Sequence, residues 1–290
     1  MRVDEQGIHL RQSDITAFVA CPEQYRRTNF DPSLSRVESD AALVGTALHA
    51  LIQRETTEGF FDTVGEAEDY TQHFFQYNVY SFDLQGVPYN RESFGTDAKA
   101  MVLLDGLVGD WWHSDERRYL AENPGRQNVE MEFDVPFTQA DDGTPIFLTG
   151  TSDIIIPDLN MVWDWKTAGR GYELWEKQRW AIQPTVYLYA AKHLGLVLPN
   201  RMGEYVFEYK VFLRSTKDRV APAETYRVFR TEGSFDWLEN MVQRLMRMQI
   251  VMGPDVGWPV NDHGWHCSPK WCSAFATCKG EHVNTESNWT

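Results

Sequence analysis

The sequence predicts an α/β protein with a central mixed β-sheet flanked by helices. Residues 146–167 hold two β-branched and aromatic runs around a turn-forming stretch, which is typical of a β-hairpin. Residues 40–58 carry apolar side chains at helical spacing, and a helix is also predicted over 235–252. Two more strands are predicted at 204–213 and 225–231. The 290 residues, 42% of them hydrophobic, suffice for one large domain or two small ones.

The predicted hairpin brings two carboxylates together. Its turn falls in Pro157–Asn160, a stretch of turn-forming residues, and centring it on Asp158-Leu159 fixes the register. This register sets Asp153 directly opposite Asp164, and like charges in that position repel unless a positive group lies between them. The pair therefore indicates a divalent cation. The same register gives three more pairs: Ile156 with Met161, Ile155 with Val162, and Ile154 with Trp163.

Lys166 follows Asp164 by two residues, so strand alternation places both side chains on one face. The opposite face is apolar and is expected to enter the core: Ile154, Ile156, Met161, Trp163 and Trp165. Oxygen ligands beside a lysine suit Mg²⁺ or Mn²⁺ and phosphodiester hydrolysis, in which the lysine orients the nucleophile or stabilises developing charge. An isolated D-x-K is usually part of a surface hairpin, but the register of the two aspartates favours a site here.

The N-terminal region predicts a short helix over residues 9–28. Ser13 or Asp14 would cap its start, and Pro22 directly after Cys21 indicates a helix end or break. Cys21 is therefore expected beside a helix terminus.

The helix over residues 40–58 carries Gly45 and His49 one turn apart. A glycine inside a helix is less favourable than alanine by up to ~1 kcal/mol, which indicates that a backbone or a ligand approaches closely at Gly45. A lone helical histidine is more often a core or partly exposed residue than a ligand. The interpretation of His49 therefore depends on the other motifs.

Residues 60–125 are aromatic-rich and predict a helical insertion or cap with a break around Asp83–Tyr89. Residues 127–137 then alternate as a strand that would lie beside the hairpin. Glu130 or Glu132 could point toward the two aspartates, but a solvated strand edge is the favoured interpretation of both.

Residues 172–195 predict a helix that ends at Gly195. Gln183 and Tyr187 are four residues apart and share one face. Pro184 is unfavourable inside a helix, so either the regular part begins near Gln183 or the helix is kinked there.

The composition indicates a cytoplasmic protein. No apolar run approaches the ~20 residues of a membrane span, and the first residues lack the apolar segment of a signal peptide. The net charge of −15 argues against a general nucleic-acid coat protein but not against a nuclease, which needs only a local basic groove. Ordinary solvated residues are the favoured interpretation of each candidate for such a groove: Arg26 and Arg27, Arg117 and Arg118, Lys210 to Arg219, and Arg244 with Arg247.

The four cysteines do not form a secreted disulfide framework in a chain of this size. Cys267, Cys272 and Cys278 are spaced C-x4-C-x5-C, and Cys21 is the remaining cysteine that would complete a set of four. Such a set fits a [4Fe-4S] cluster or an all-thiolate zinc site, and the absence of paired CxxC knuckles favours the cluster. Unrelated buried cysteines are the alternative.

Motifs along the chain resemble those of the PD-(D/E)XK nuclease superfamily, in its RecB-like exonuclease branch. They are GTALH with His49, GTSD with Asp153, DWK with Asp164 and Lys166, and Q-x-x-x-Y with Gln183 and Tyr187. The CP-x-x-Y at Cys21 and the C-terminal cysteine trio resemble the iron-sulfur nucleases of that branch. These include CRISPR adaptation nucleases, nuclease domains of helicase-nuclease complexes, and phage-encoded relatives.

The resemblance implies a restriction-endonuclease-like core and a role for each motif residue. The implied ligands of Mg²⁺ or Mn²⁺ are His49, Asp153, Asp164 and the carbonyl of Trp165. Lys166 would be catalytic, while Gln183 and Tyr187 would position the DNA or the lysine. The implied ligands of the [4Fe-4S] cluster are Cys21, Cys267, Cys272 and Cys278.

The resemblance also implies a single nuclease domain over residues 1–290. Within it, 60–125 would be the helical insertion, and 1–30 with 255–290 would form an iron-sulfur subdomain in which the cluster joins the two ends of the chain.

The leading functional hypothesis is a metal-dependent DNA exonuclease that favours single-stranded ends and serves recombination or DNA processing. It would act in the cytoplasm, or in the host cytoplasm if phage-encoded, with recombination or integrase proteins as candidate partners and no membrane. One alternative is a CRISPR-type adaptation nuclease that trims prespacers. Another is a non-catalytic iron-sulfur module that binds DNA.

Overall fold

The computed structural model describes residues 1–30, 38–87, 89–91, 93–214, 223–261, 267–268 and 272–279. The helices are α1 (Gln12–Ala20), α2 (Pro22–Phe30), α3 (Asp40–Glu58), α4 (Val64–Gln85), α5 (Asp97–Trp112), α6 (Asp115–Glu122), α7 (Leu174–Trp180), α8 (Gln183–His193), α9 (Glu232–Met252) and α10 (Phe275–Cys278). The strands are β1 (Arg2–Asp4), β2 (Gly7–Arg11), β3 (Glu38–Ser39), β4 (Tyr89–Asn90), β5 (Asn128–Gln139), β6 (Pro145–Ile156), β7 (Met161–Ala168), β8 (Tyr205–Leu213) and β9 (Ala223–Arg230).

The fold is a mixed α/β fold whose contacts divide into two compact units. Unit 1 comprises Met1–Arg36, Phe133–Gly150 and Gly233–Thr290. Unit 2 comprises Val37–Glu132 and Thr151–Glu232. Strands β5 and β6 pair with each other.

The sheet of unit 2 is mixed and is centred on the predicted hairpin. β7 is antiparallel to β6 and parallel to β8, and β9 is antiparallel to β8. A single 3₁₀ turn, Pro157–Leu159, joins β6 to β7, and Asn160 completes it in the left-handed conformation that asparagine tolerates (φ 52°). The predicted register is confirmed in its three apolar pairs: Ile154 with Trp163, Ile155 with Val162, and Ile156 with Met161.

Helices cover both faces of this sheet. α3, α4 and α5 bury their apolar stripes in one cluster with Trp163 and Trp165, the face that alternation assigns to the core. α8 lies on the opposite face, where the ring of Tyr187 is 6.3 Å from that of Phe207. Burial of each aliphatic or phenylalanine side chain contributes about 1.5–3 kcal/mol to the free energy of folding, so these two layers fix the sheet.

Sequence-predicted helix boundaries in unit 2 are largely confirmed. α3 spans the predicted Asp40–Glu58, because the Ser39 hydroxyl accepts a hydrogen bond from the amide of Ala42 and caps its start. The segment over 60–125 forms α4, α5 and α6, and α4 ends at Gly86, which takes a left-handed conformation (φ 64°).

The helix predicted over 172–195 is two helices. α7 ends at Trp180, and α8 begins at Gln183. Pro184 therefore occupies the first turn of α8, where backbone amides have no acceptor within the helix and the lack of an amide proton costs no hydrogen bond. Of the two predicted alternatives, the structure therefore shows a helix that starts at Gln183 and not a kinked helix.

Unit 1 contains the two ends of the chain. β2 is antiparallel to β1 and parallel to the first half of β6. Residues predicted to begin a helix at position 9 belong to β2 instead, and Asp14 caps α1 from inside its first turn by accepting the amide of Arg11 at 2.9 Å. Cys21 lies at the break between α1 and α2, as Pro22 indicated. In the described part of the chain, no helix is both long enough and apolar enough to cross a bilayer.

Candidate active site

The two aspartates of the hairpin lie just beyond its last paired residues. The described ladder ends at Ile154 and Trp163, one step before Asp153 and Asp164. At this point the backbone amide of Trp165 donates its hydrogen bond to a side-chain oxygen, Asp153 Oδ2, at 2.8 Å. The described pairing of the two strands thus ends next to the two carboxylates.

Asp164 is fully buried and is held by two neighbours. Lys166 Nζ lies 2.6 Å from Asp164 Oδ2, which agrees with the prediction that both side chains share a face. Gln183 Nε2 donates to Asp164 Oδ1 at 2.7 Å. The hydroxyl of Tyr187 is hydrogen-bonded to Gln183. Gln183 is the first residue of α8, and its side-chain amide contacts Asp164. Tyr187, one turn further along the helix, contacts the side chain of Gln183.

His49 reaches the same place from α3. Its Nε2 atom lies 2.8 Å from the carbonyl oxygen of Trp165, and its Nδ1 atom lies 3.7 Å from Asp153 Oδ2. A carbonyl oxygen only accepts, so Nε2 carries the hydrogen and the Nδ1 lone pair faces the carboxylate. α3 approaches β7 closely here: a Cβ atom on Gly45 would lie only 3.0 Å from Thr167 Oγ1. Gly45 is thus explained by close packing.

Glu130 is the site residue that the sequence interpretation placed elsewhere. A carboxylate oxygen of Glu130, a ring nitrogen of His49 and a carboxylate oxygen of Asp153 all lie within 4.8 Å of one another. Glu130 has a left-handed backbone (φ 44°), which is unfavourable by about 1–2 kcal/mol for a residue with a Cβ atom. Strand alternation gives no signal of such a conformation, so the sequence favoured a solvated edge.

Burial shifts the pKa values of the acidic groups upward. It raises the pKa of Glu130 to about 7, and the charges of Asp153 and Asp164 add to the shift. It also raises the pKa of Asp164 to about 6, although the Lys166 ammonium opposes the change. The pKa of Asp153 is raised by burial as well. Burial therefore disfavours the charged forms of these carboxylates, and a bound cation would oppose that shift.

The two nitrogen groups of the site respond differently. Burial and the Lys166 ammonium lower the pKa of His49 to about 4, so its imidazole is neutral at pH 7. Burial alone would lower the pKa of Lys166, but the carboxylates of Asp164 and Asp153 outweigh burial and raise it. The carboxylates therefore favour the ammonium form of Lys166, which can stabilise negative charge and donate hydrogen bonds.

The donor set fits a hard divalent cation. Carboxylate oxygens and a neutral imidazole nitrogen are ligands that Mn²⁺ and, with less nitrogen preference, Mg²⁺ accept. Ligand atoms at 2.0–2.1 Å from an octahedral ion stand about 3–4 Å apart. The group of His49, Glu130 and Asp153, within 4.8 Å, is close to that spacing before any ion is bound. A cation would also remove the repulsion among the carboxylates.

All four cysteines belong to unit 1 and are free thiols. Burial raises the pKa of Cys272, and the thiols of Cys21, Cys267 and Cys278 raise it further, so the four are electrostatic neighbours. Among the described residues, however, no three of these sulfurs lie within 4.8 Å of one another. Sulfurs around one tetrahedral zinc at 2.3 Å would stand about 3.8 Å apart. The described arrangement is therefore wider than a four-thiolate zinc site.

Most of the basic residues considered for a DNA groove have acidic partners. Those described with an ion pair are Arg26 and Arg27 with Glu23, Arg117 with Glu55, Arg118 with Asp115, Lys210 with Glu116 and Glu208, and Arg247 with Asp141. Residues 215–219 of the segment Lys210 to Arg219 lie outside the described residues. The solvated or structural interpretation of the paired residues therefore holds.

The site and the fold agree with a family-level match. The sequence model of the PD-(D/E)XK nuclease superfamily matches residues 9–279, and the chain belongs to this superfamily. Its members are nucleases that use divalent metal ions and act on DNA. The motifs at Asp153, Asp164 and Lys166 lie within the matched residues.

Comparison with solved structures and with curated proteins adds little to this assignment. The crystal structure of SSO0001 aligns over 89% of this chain and 96% of its own, with 15% sequence identity and a TM-score of 0.35. A likeness at this level carries no argument about fold or function. No protein of curated function matches the sequence.

Proposed function

We propose that the protein is a metal-dependent DNA exonuclease of the RecB-like branch, which favours single-stranded ends and serves recombination or DNA processing. The observation that carries the proposal is the juxtaposition of a possible cation-binding group with a lysine ammonium. The group consists of His49, Glu130 and Asp153. Lys166 contacts Asp164 and is close enough to Asp153 to influence its pKa.

Mg²⁺ or Mn²⁺ would be held by His49, Asp153, Asp164 and the carbonyl of Trp165. Such a cation supplies charge to neutralise a phosphodiester and to activate water. The metal-free carboxylates repel one another, and this repulsion supports the assignment. A surface hairpin with scattered charges would not need to bury them.

Lys166 would stabilise the negative charge that develops on the phosphate. Its Nζ atom contacts Asp164, and the other oxygen of that aspartate accepts a hydrogen bond from Gln183, which is in turn hydrogen-bonded to Tyr187. A donor fixed in advance needs no reorganisation during the reaction, which is why such groups contribute strongly to rate. Gln183 and Tyr187 thus position the lysine through Asp164.

The preference for single strands is supported by α7, whose Trp175 and Trp180 are 59% and 62% exposed. Exposed indole rings stack on unpaired bases, and basic residues beside them attract the phosphates. Lys177 of the same helix lies close enough to Lys166 for the second ammonium to lower its pKa further, after burial. Arg179 lies over the ring of Trp180 at 4.9 Å. α7 therefore combines stacking surface and positive charge near the site.

The four cysteines would hold a [4Fe-4S] cluster. In such a cluster the thiolates bind different irons, so their sulfurs stand farther apart than those around one zinc ion. The electrostatic influence of other cysteines on the pKa values of Cys272 and Cys278 supports this assignment. The cluster would join Cys21 to the C-terminal segment and contribute to folding, since ligand binding to the folded state adds to its stability.

The test is digestion of end-labelled single- and double-stranded DNA with and without Mg²⁺ or Mn²⁺. We expect stepwise shortening from an end, faster on single strands, which stops when EDTA is added. Absence of cleavage with either metal would favour the non-catalytic DNA-binding alternative. Products cut at internal positions of circular single strands would contradict the exonuclease assignment.

A further inference from the structure

The backbone of β5 departs from regular alternation at Glu130. From Glu132 to Val135 the side chains alternate strictly between exposed and buried. A regular strand would put Glu130 on the same exposed face as Glu132. Instead Glu130 is half-buried, and its positive φ of 44° re-aims the side chain as an unpaired strand residue does in a bulge.

The re-aimed carboxylate meets cation-binding atoms. It lies within 4.8 Å of ligand atoms of His49 and Asp153. Within the described residues, the side chain of Glu130 forms no hydrogen bond and no ion pair with a protein group. Asp164, by contrast, already has both Lys166 and Gln183 as partners.

We propose that Glu130 is a ligand of the divalent cation, beside His49 and Asp153. This inference rests on the proposed function and deepens it by naming a ligand outside the recognised motifs. A site with two carboxylates and one imidazole favours Mn²⁺ over Mg²⁺, because imidazole is a better ligand for the transition metal.

Binding of Mn²⁺ to the full chain without DNA tests the assignment, with isothermal titration calorimetry and the electron paramagnetic resonance signal of free Mn²⁺ as readouts. Glu130→Gln is expected to weaken Mn²⁺ binding at least about 10-fold, as loss of groups at metal sites commonly does. Glu132→Gln is the matched control, because Glu132 is an exposed glutamate two residues along the same strand. It is expected to bind Mn²⁺ as the wild type does.

Glu130→Gly guards against misfolding as an explanation. Glycine accepts the left-handed conformation without strain, so this variant is expected to raise the melting temperature of the metal-free protein while it loses Mn²⁺ affinity. Wild-type Mn²⁺ affinity in either Glu130→Gln or Glu130→Gly would overturn the proposal. An equal loss of Mn²⁺ affinity in Glu132→Gln would also overturn it, because removal of any nearby negative charge would then explain the effect.

The outcomes separate this proposal from the proposed function. If wild-type protein binds Mn²⁺ through Glu130 but degrades no DNA, the nuclease function fails and the ligand assignment stands. If wild-type protein degrades DNA and Glu130→Gln binds Mn²⁺ normally, the ligand assignment alone fails. A wild-type chain that binds no Mn²⁺ would refute both.

Discussion

Lys166 Nζ lies 2.6 Å from Oδ2 of Asp164, an aspartate with no exposed side-chain surface. The contact holds the ammonium at the edge of the cation-binding group and keeps it protonated. In the proposed reaction Lys166 would therefore act as a fixed positive charge.

Lys166→Ala is expected to reduce DNA cleavage about 100-fold or more, because one preorganised electrostatic stabiliser usually contributes that much. Mn²⁺ binding should persist, since the ligand atoms remain. Single-turnover cleavage and calorimetry measure the two effects. Lys99→Ala, at an exposed position of α5, is the control and should cleave normally. Retention of more than about a tenth of the wild-type rate would contradict this role.

Asp153→Asn and Asp164→Asn are expected to lose metal-dependent cleavage but to differ in stability without metal. The substitution at Asp153 keeps an oxygen for the amide of Trp165 and removes one repelling charge, so the melting temperature should stay or rise. The substitution at Asp164 leaves Lys166 without its ion-pair partner and should destabilise the protein by about 2 kcal/mol, less than for a fully buried pair because Lys166 is 30% exposed. Thermal unfolding in EDTA measures both, and equal melting temperatures would contradict the asymmetry.

Mn²⁺ binding is expected to release protons at about pH 6 and few at about pH 8. The pKa of Glu130 is raised to about 7 and that of Asp164 to about 6, so below these values the carboxylates must lose protons before a cation binds. His49, with a pKa of about 4, is already neutral across this range and adds none. Affinity should therefore rise with pH and level off above about 7.5. Calorimetry in buffers of different ionisation enthalpy measures the release, and a constant proton count would refute the prediction.

Trp175→Ala is expected to weaken binding of single-stranded DNA by about 1–3 kcal/mol with little effect on duplex DNA, because stacking requires an unpaired base. Fluorescence anisotropy with EDTA present separates binding from cleavage. Trp237→Ala, at a 45% exposed tryptophan of α9, should bind both substrates as the wild type does. Equal losses on single and double strands would exclude a stacking role for α7.

Anaerobically purified protein is expected to be brown and to carry about four irons per chain, as a [4Fe-4S] cluster requires. Cys272→Ala should be colourless and less stable, whereas Ser273→Ala, at the neighbouring exposed position, should retain its iron. Metal analysis and thermal unfolding provide the readouts. Stoichiometric zinc without iron would replace the cluster by a zinc site. A quadruple cysteine variant of unchanged stability would remove the metal centre altogether.

The sequence by itself determined the hairpin, its register and its two faces. Turn formers at Pro157–Asn160 leave one favourable turn position, and a strand has a side-chain period of two, so Asp164 and Lys166 had to share a face. α3 followed equally directly from its apolar period and its capping serine. These features depend on neighbours a few residues apart, which is the range over which sequence patterns are informative.

Tertiary structure decided which groups meet around the cation. Glu130 lies 23 positions before Asp153 and reaches it through a left-handed backbone that no local pattern marks. His49 finds the carbonyl of Trp165 only because α3 packs against β7 at Gly45. Burial then sets the charges, since it raises the pKa values of the carboxylates and lowers that of the histidine. Contacts between distant segments and the desolvation that accompanies them arise from packing the whole unit, so the sequence named the hairpin aspartates but not the complete set of groups around them.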